Sequence, residues 1–90
     1  MPYTTLENRR KFEPSLNDLR NSMDPNNLGK GDMTYLVYCI GLEYIKKRGG
    51  DSYTNISTAI SCLNDAAEEL RRKKLNPYED DKIIENGDVE

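Results

Sequence analysis

The stretch MTYLVYCIGLEYIKKRGG, residues 33–50, decides how this chain folds. Two consecutive glycines stop it, and Lys46, Lys47 and Arg48 precede them at the negative end of a helix dipole. Asp32 stands before it in a capping position, so the pattern predicts a helix from Met33 to about Arg48. Between Met33 and Ile45 ten of thirteen residues are apolar or aromatic. One stripe is Met33, Leu36, Val37, Ile40 and Tyr44, which suffices for a surface helix. Tyr35, Tyr38, Leu42 and Ile45 form a second stripe on another face. A helix apolar nearly all round is central in its fold or covered by another chain. In a 90-residue chain the core is small, since only about 60–65% of the unfolded surface is buried at this size. The expectation is therefore a homo-oligomer with Tyr35, Tyr38, Leu42 and Ile45 at its interface.

Outward from this helix, Ser52 or Asn55 caps a further one that runs to about Leu75. Ile56, Ile60, Leu63, Ala67 and Leu70 mark a seam of nearly heptad spacing along it. Glu68 with Arg72 and Glu69 with Lys73 are i,i+4 ion pairs in the favourable order. RGGDS is short enough to make the two helices an antiparallel pair. Upstream, Leu16, Leu19 and Met23 predict a helix from Pro14, which suits a first helical position, to Met23. A turn of helix capped by Thr5 precedes it over Leu6 to Arg10. The intervening DPNNLGKGD is turn chemistry. It fails as a calcium loop because Leu28 and Tyr35 stand where the fifth and twelfth ligands belong.

The end, NPYEDDKIIENGDVE, allows two structures. Asn76-Pro77 could open a helix closed by Gly87, or Asn86-Gly87 could turn a small hairpin between 82–85 and 88–90. The β-branched pair Ile83-Ile84 favours the extended form. The predicted fold class is thus all-α: a small helical bundle with a long antiparallel helix pair and a short C-terminal extended segment or hairpin. Residues 1–78 make the helical domain, and 79–90 an acidic segment packed on the body or on a neighbouring subunit.

Charge supports that division. The net charge is −3, yet residues 1–78 carry 12 Lys and Arg against 10 Asp and Glu, while 79–90 carry 6 acids and one Lys. Such a balance argues against a dedicated nucleic-acid binder. No apolar stretch reaches the roughly 20 residues of a membrane span and no secretory leader is visible, so a cytoplasmic protein is expected. Cys39 and Cys62 sit in apolar patterns and read as reduced core residues.

Catalysis finds little to work with. The chain has no His, and its two Cys read as buried, so the usual base, nucleophile pair and zinc cluster are missing. Adjacent acids such as Asp80 and Asp81 read as a solvated surface. No enzyme, cofactor or metal site is expected.

Several stretches resemble a family of small uncharacterised proteins encoded by bacteriophages and prophage-bearing bacteria. They are Gly31-Asp32 before the tyrosine-bearing helix, Ser52-Tyr53-Thr54-Asn55-Ile56 opening the next, and Tyr78-Glu79-Asp80 with Glu85-Asn86-Gly87-Asp88-Val89 at the end. The resemblance runs from about Glu13 onward and implies a host-cell setting without a mechanism. By analogy with anti-defence proteins, the leading expectation is an oligomer that sequesters an anionic nucleotide-type signal. Arg71, Arg72 and Lys73 would hold phosphates, Tyr53 or Tyr78 would stack on a base, and Asn55 or Asp80 would read ribose and base edges. The alternative is an inhibitor or adaptor acting on a host protein through the tyrosine-rich helix or the acidic segment. A weaker one is a DNA-associated protein using Arg9, Arg10, Lys11 and the RRKK cluster.

Overall fold

The computed structural model describes residues 4–87, and all its regular structure there is helical. Three helical runs follow one another: α1 (Leu6–Ser22), α2 (Lys30–Lys47), and a third that begins as α3 (Tyr53–Leu70), passes through a π turn (Arg71–Leu75) and ends as α4 (Asn76–Asn86). The chain divides into two compact units, Met1–Tyr35 and Leu36–Glu90, with the boundary inside α2.

In the first unit, Thr5 caps α1 as its sequence position implies, its Oγ1 accepting from Asn8 N at 3.2 Å. Pro14 does not open a second helix. It lies inside α1, so the expected break between Arg10 and Pro14 is absent. Proline there leaves the Arg10 carbonyl without its i+4 donor. The surroundings of Pro14 are exposed, so water can take that place. Asp24 organises the following loop by accepting from Asn26 N through its side chain and from Asn27 N through its carbonyl, both at 2.9 Å. The start of α2 is three residues earlier than expected. Gly29 is the cap, its carbonyl accepting from Met33 N at 3.1 Å, and Asp32 reaches back to Gly29 N at 2.8 Å in the manner of a capping box.

The second unit is built around the connection between α2 and α3. Gly50 N reaches Ile45 O at 3.0 Å and Gly49 N reaches Lys46 O at 3.2 Å, with both glycines at positive φ, the αL-type ending that suits residues without a Cβ. Ser52 Oγ caps α3 through Asn55 N at 3.0 Å. Asn55 Nδ2 then donates to the carbonyls of Arg48 (3.2 Å) and Gly50 (2.9 Å), tying the loop to the first turn of α3. Beyond it the helices touch where residues are small. Gly41 is buried, a Cβ there would lie 3.4 Å from Leu63 Cδ1, and Ala59 is 4% exposed. Leu36, Val37, Tyr44, Ile45 and Leu63 are half-buried. Among the described residues Ala59 is the only buried apolar side chain. Cys39 is half-buried and Cys62 exposed, so the expectation of two core cysteines is not met; the seam beside Cys62 is itself open, with Ile60 54% exposed.

The C-terminal expectation is corrected. Residues 76–86 are α-helical, neither extended nor a hairpin; the expected returning arm, 88–90, lies outside the described residues. Helix extension is favoured because adding turns to an existing helix carries no nucleation cost, which outweighs the weak β preference of Ile83 and Ile84. Lys82 pairs with Glu85 at 3.2 Å and lies 5.6 Å from the centroid of the Tyr78 ring. Gly87, at φ 82°, ends the helix by donating to Ile83 O at 2.8 Å.

Because Asn55 holds two loop carbonyls at once, Asn55→Ala should lower the melting temperature by several degrees, corresponding to about 1–2 kcal/mol. Circular dichroism melting checks this, and an unchanged midpoint would show that water replaces the amide without cost.

Candidate functional site

The π turn at Arg71–Leu75 coincides with Pro77, and the steric reason is local. A proline ring collides with the carbonyl four residues earlier, which for Pro77 is Lys73. The widened turn contains that carbonyl and closes with Asn76 N donating to Arg71 O. Such a turn takes up about one extra residue, so every later side chain is rotated by about 100° relative to an uninterrupted α-helix. Without it, the seam Leu63, Ala67, Leu70 would continue at Lys74 and Pro77. With it, Leu75 and Tyr78 take those places. An open groove of about 580 Å³ is lined accordingly by Ala67, Leu70, Arg71, Lys74, Leu75 and Tyr78.

The groove is apolar along its floor and cationic at its edges. Leu70 and Tyr78 are each 60% exposed. Arg71 has one weak surface partner, Glu68, at 3.5 Å. Its neighbours Arg72 and Lys73 meet Glu69 instead: Arg72 Nη2 lies 2.6 and 2.7 Å from the two carboxylate oxygens, and Lys73 Nζ is 3.2 Å away. The Glu69–Lys73 pair is the one the spacing predicts. Arg72 takes Glu69 in place of Glu68.

Of the expected ligand residues, Arg71 and Tyr78 therefore share the groove, whereas Arg72 and Lys73 are held together around Glu69. Asp80 does not line the groove. Tyr53 is 88% exposed at the other end of the same helical run, about 37 Å from Tyr78 at 1.5 Å per residue. Asn55 spends its amide donors on the loop. One copy of the chain thus does not unite all seven. Lys74, Leu70 and Leu75 are members that the sequence reading passed over. The signal for them was present in Pro77, which lies seven residues beyond the last seam leucine and demands a change in helix phase.

The expected interface residues are accessible. Tyr38 and Leu42 are exposed and Ile45 half-buried in the second unit, and Tyr35, in the first, is exposed. Leu42 and Ile45 also line a second open groove, of about 550 Å³, with Cys39, Gly50, Asp51 and the Glu43–Lys46 pair, whose charged atoms are 3.6 Å apart. Among the described residues no group of three or more His, Cys, Asp or Glu is arranged to hold a metal ion, and no helix is long and apolar enough to cross a membrane.

A family model described as "Domain of unknown function (DUF6899)" matches residues 1–89. The chain belongs to this family. No curated protein and no solved structure matches it.

Since Pro77 sets the phase change, Pro77→Ala should let the run revert to α-helix, raise thermal stability by up to about 3 kcal/mol and turn Tyr78 out of line with Leu70. Amide hydrogen exchange checks this as increased protection over residues 75–78. Unchanged protection there would trace the π turn to something other than the proline ring.

Proposed function

We propose that the protein works by binding rather than catalysis, as a homo-oligomeric, phage-type accessory protein of the host cytoplasm. What supports this is the mismatch between apolar content and burial. Tyr38, Leu42, Ile60, Leu70 and Tyr78 are all exposed, while among the described residues Ala59 is the only buried apolar side chain. Ordering the backbone costs about 1–2 kcal/mol per residue, and covering a large apolar side chain returns about 1.5–3 kcal/mol. Further copies of the chain are the readiest source of that cover. In this reading α2 and α3 form an antiparallel pair around Gly41 and Ala59. Tyr35, Tyr38, Leu42 and Ile45 meet another subunit, and the acidic segment over residues 79–87 packs on the body or on a neighbouring subunit. A host protein that docks on the same tyrosines would be inhibited or recruited by the same means.

A second reading retains anti-defence sequestration of an anionic nucleotide-type signal. Its support is the groove, where two cations and an aromatic ring converge. Tyr53 and Asn55 join that site only from a neighbouring copy, and Asn55 only by giving up its loop bonds.

Light scattering coupled to gel filtration tests the first reading. The wild-type chain should elute as a defined oligomer, and Tyr38→Glu with Leu42→Glu should reduce it to smaller species that retain helix by circular dichroism. A wild-type monomer, fully helical at micromolar concentration, sinks the reading. For the second, native mass spectrometry of protein from signal-producing cells should show a small added mass that Arg71→Glu with Lys74→Glu removes. Bare protein counts against it.

A further inference from the structure

We propose that the face carrying Ala67, Leu70, Leu75 and Tyr78 is a two-fold, antiparallel pairing surface for a second copy of this chain. The inference rests on the reading of the protein as self-associating, and it adds an interface separate from that of Tyr38 and Leu42.

The first argument is continuity. The π turn brings Leu75 and Tyr78 into line with Ala67 and Leu70, and all four line one groove. Leu70, Leu75 and Tyr78 are exposed. A helix that keeps an apolar stripe in phase across a change of pitch is suited to lie along another helix.

The second argument is the order of charges. Arg71, Arg72, Lys73 and Lys74 precede Leu75, and Glu79, Asp80 and Asp81 follow Tyr78. A parallel, in-register pair would set cations against cations and acids against acids. Reversing one helix sets each basic block beside the other copy's acidic block, and a two-fold axis repeats the match. That axis falls between Asn76 and Pro77. Leu75 of each copy then meets Tyr78 of the other, Lys74 faces Glu79, Lys73 faces Asp80 and Arg72 faces Asp81. Arg71 falls opposite Lys82, and each keeps an acid of its own chain, Glu68 at 3.5 Å and Glu85 at 3.2 Å.

Crosslinking decides the orientation. In a Cys39→Ser, Cys62→Ser background, full-length Leu75→Cys protein is mixed with Tyr78→Cys protein of different tag mass and oxidised with glutathione disulfide. The mixed disulfide should exceed either self-disulfide several-fold. Dominant self-disulfides overturn the antiparallel register. Charge reversal supplies the second arm: Lys73→Glu with Lys74→Glu, and Glu79→Lys with Asp80→Lys, should each lose a step of assembly by light scattering, and mixing the two should restore it.

If both reversed proteins keep wild-type size while Tyr38→Glu with Leu42→Glu does not, this pairing fails and the self-association reading stands. A wild-type monomer removes both. Saturable binding of ATP to the wild-type protein, abolished by Arg71→Glu with Lys74→Glu at unchanged oligomer size, overturns the pairing in favour of a nucleotide.

Discussion

Gly41 and Ala59 are the buried residues of α2 and α3, and their smallness limits what their burial contributes. Small residues let helices draw near, but they bury little apolar area, and hydrophobic stabilisation scales with area. The larger side chains close by, Leu63 and Tyr44, are only half covered. The loop holding these helices together therefore relies on polar geometry to an unusual degree: two glycines at positive φ, the Ser52 cap, and the Asn55 amide bridging two carbonyls. Hydrogen bonds of this kind contribute about 0.5–1.5 kcal/mol each and define a conformation more than they stabilise it. They specify the connection and leave the demand for apolar cover unmet.

Pro77 has a comparable reach from a single position. By displacing the Lys73 carbonyl it forces the π turn, and through the π turn it chooses which residues of α4 extend the seam of α3. Backbone sterics at one residue thus select Leu75 and Tyr78 over Lys74 as the seam residues, and leave Arg71 and Lys74 at the groove edges.

What the sequence discloses here follows how local each cause is. Thr5, Ser52 and the Gly49-Gly50 stop are readable because a cap or a positive φ depends on residues a few positions away, whereas Gly87 suits a hairpin turn as well as the helix end it forms. Pro14 and Pro77 are not readable in that way, since the same residue opens one helix and sits inside another. The difference lies in whether the carbonyl four residues back can be hydrated or displaced. Asp32 was recognised as a helix-start residue, but it serves from inside the first turn, reaching back to Gly29. Within the candidate site, Arg71 and Tyr78 were accessible to composition and position. Arg72 and Lys73 carry the same charge as Arg71 in one basic run, and helix phase and the position of Glu69 separate them.

The two uses considered for the groove compete for the same charges. A nucleotide phosphate needs Arg71 and Lys74 available, whereas in the proposed antiparallel pair Glu79 of the second copy covers Lys74. Acids fixed on a neighbouring helix act at high effective concentration, so a dilute anion meets cations already neutralised. Salt acts differently on the two cases. Screening at a Debye length near 8 Å weakens exposed charge pairs but leaves the burial of Leu70, Leu75 and Tyr78 intact, so a paired seam loses orientation before it loses contact. A phosphate held by two cations and a ring has far less apolar area to fall back on, and its retention declines directly with ionic strength. In the proposed pairing the acidic α4 would therefore set the groove's selectivity, its charges deciding whether the basic turn meets another copy of the chain or an anion.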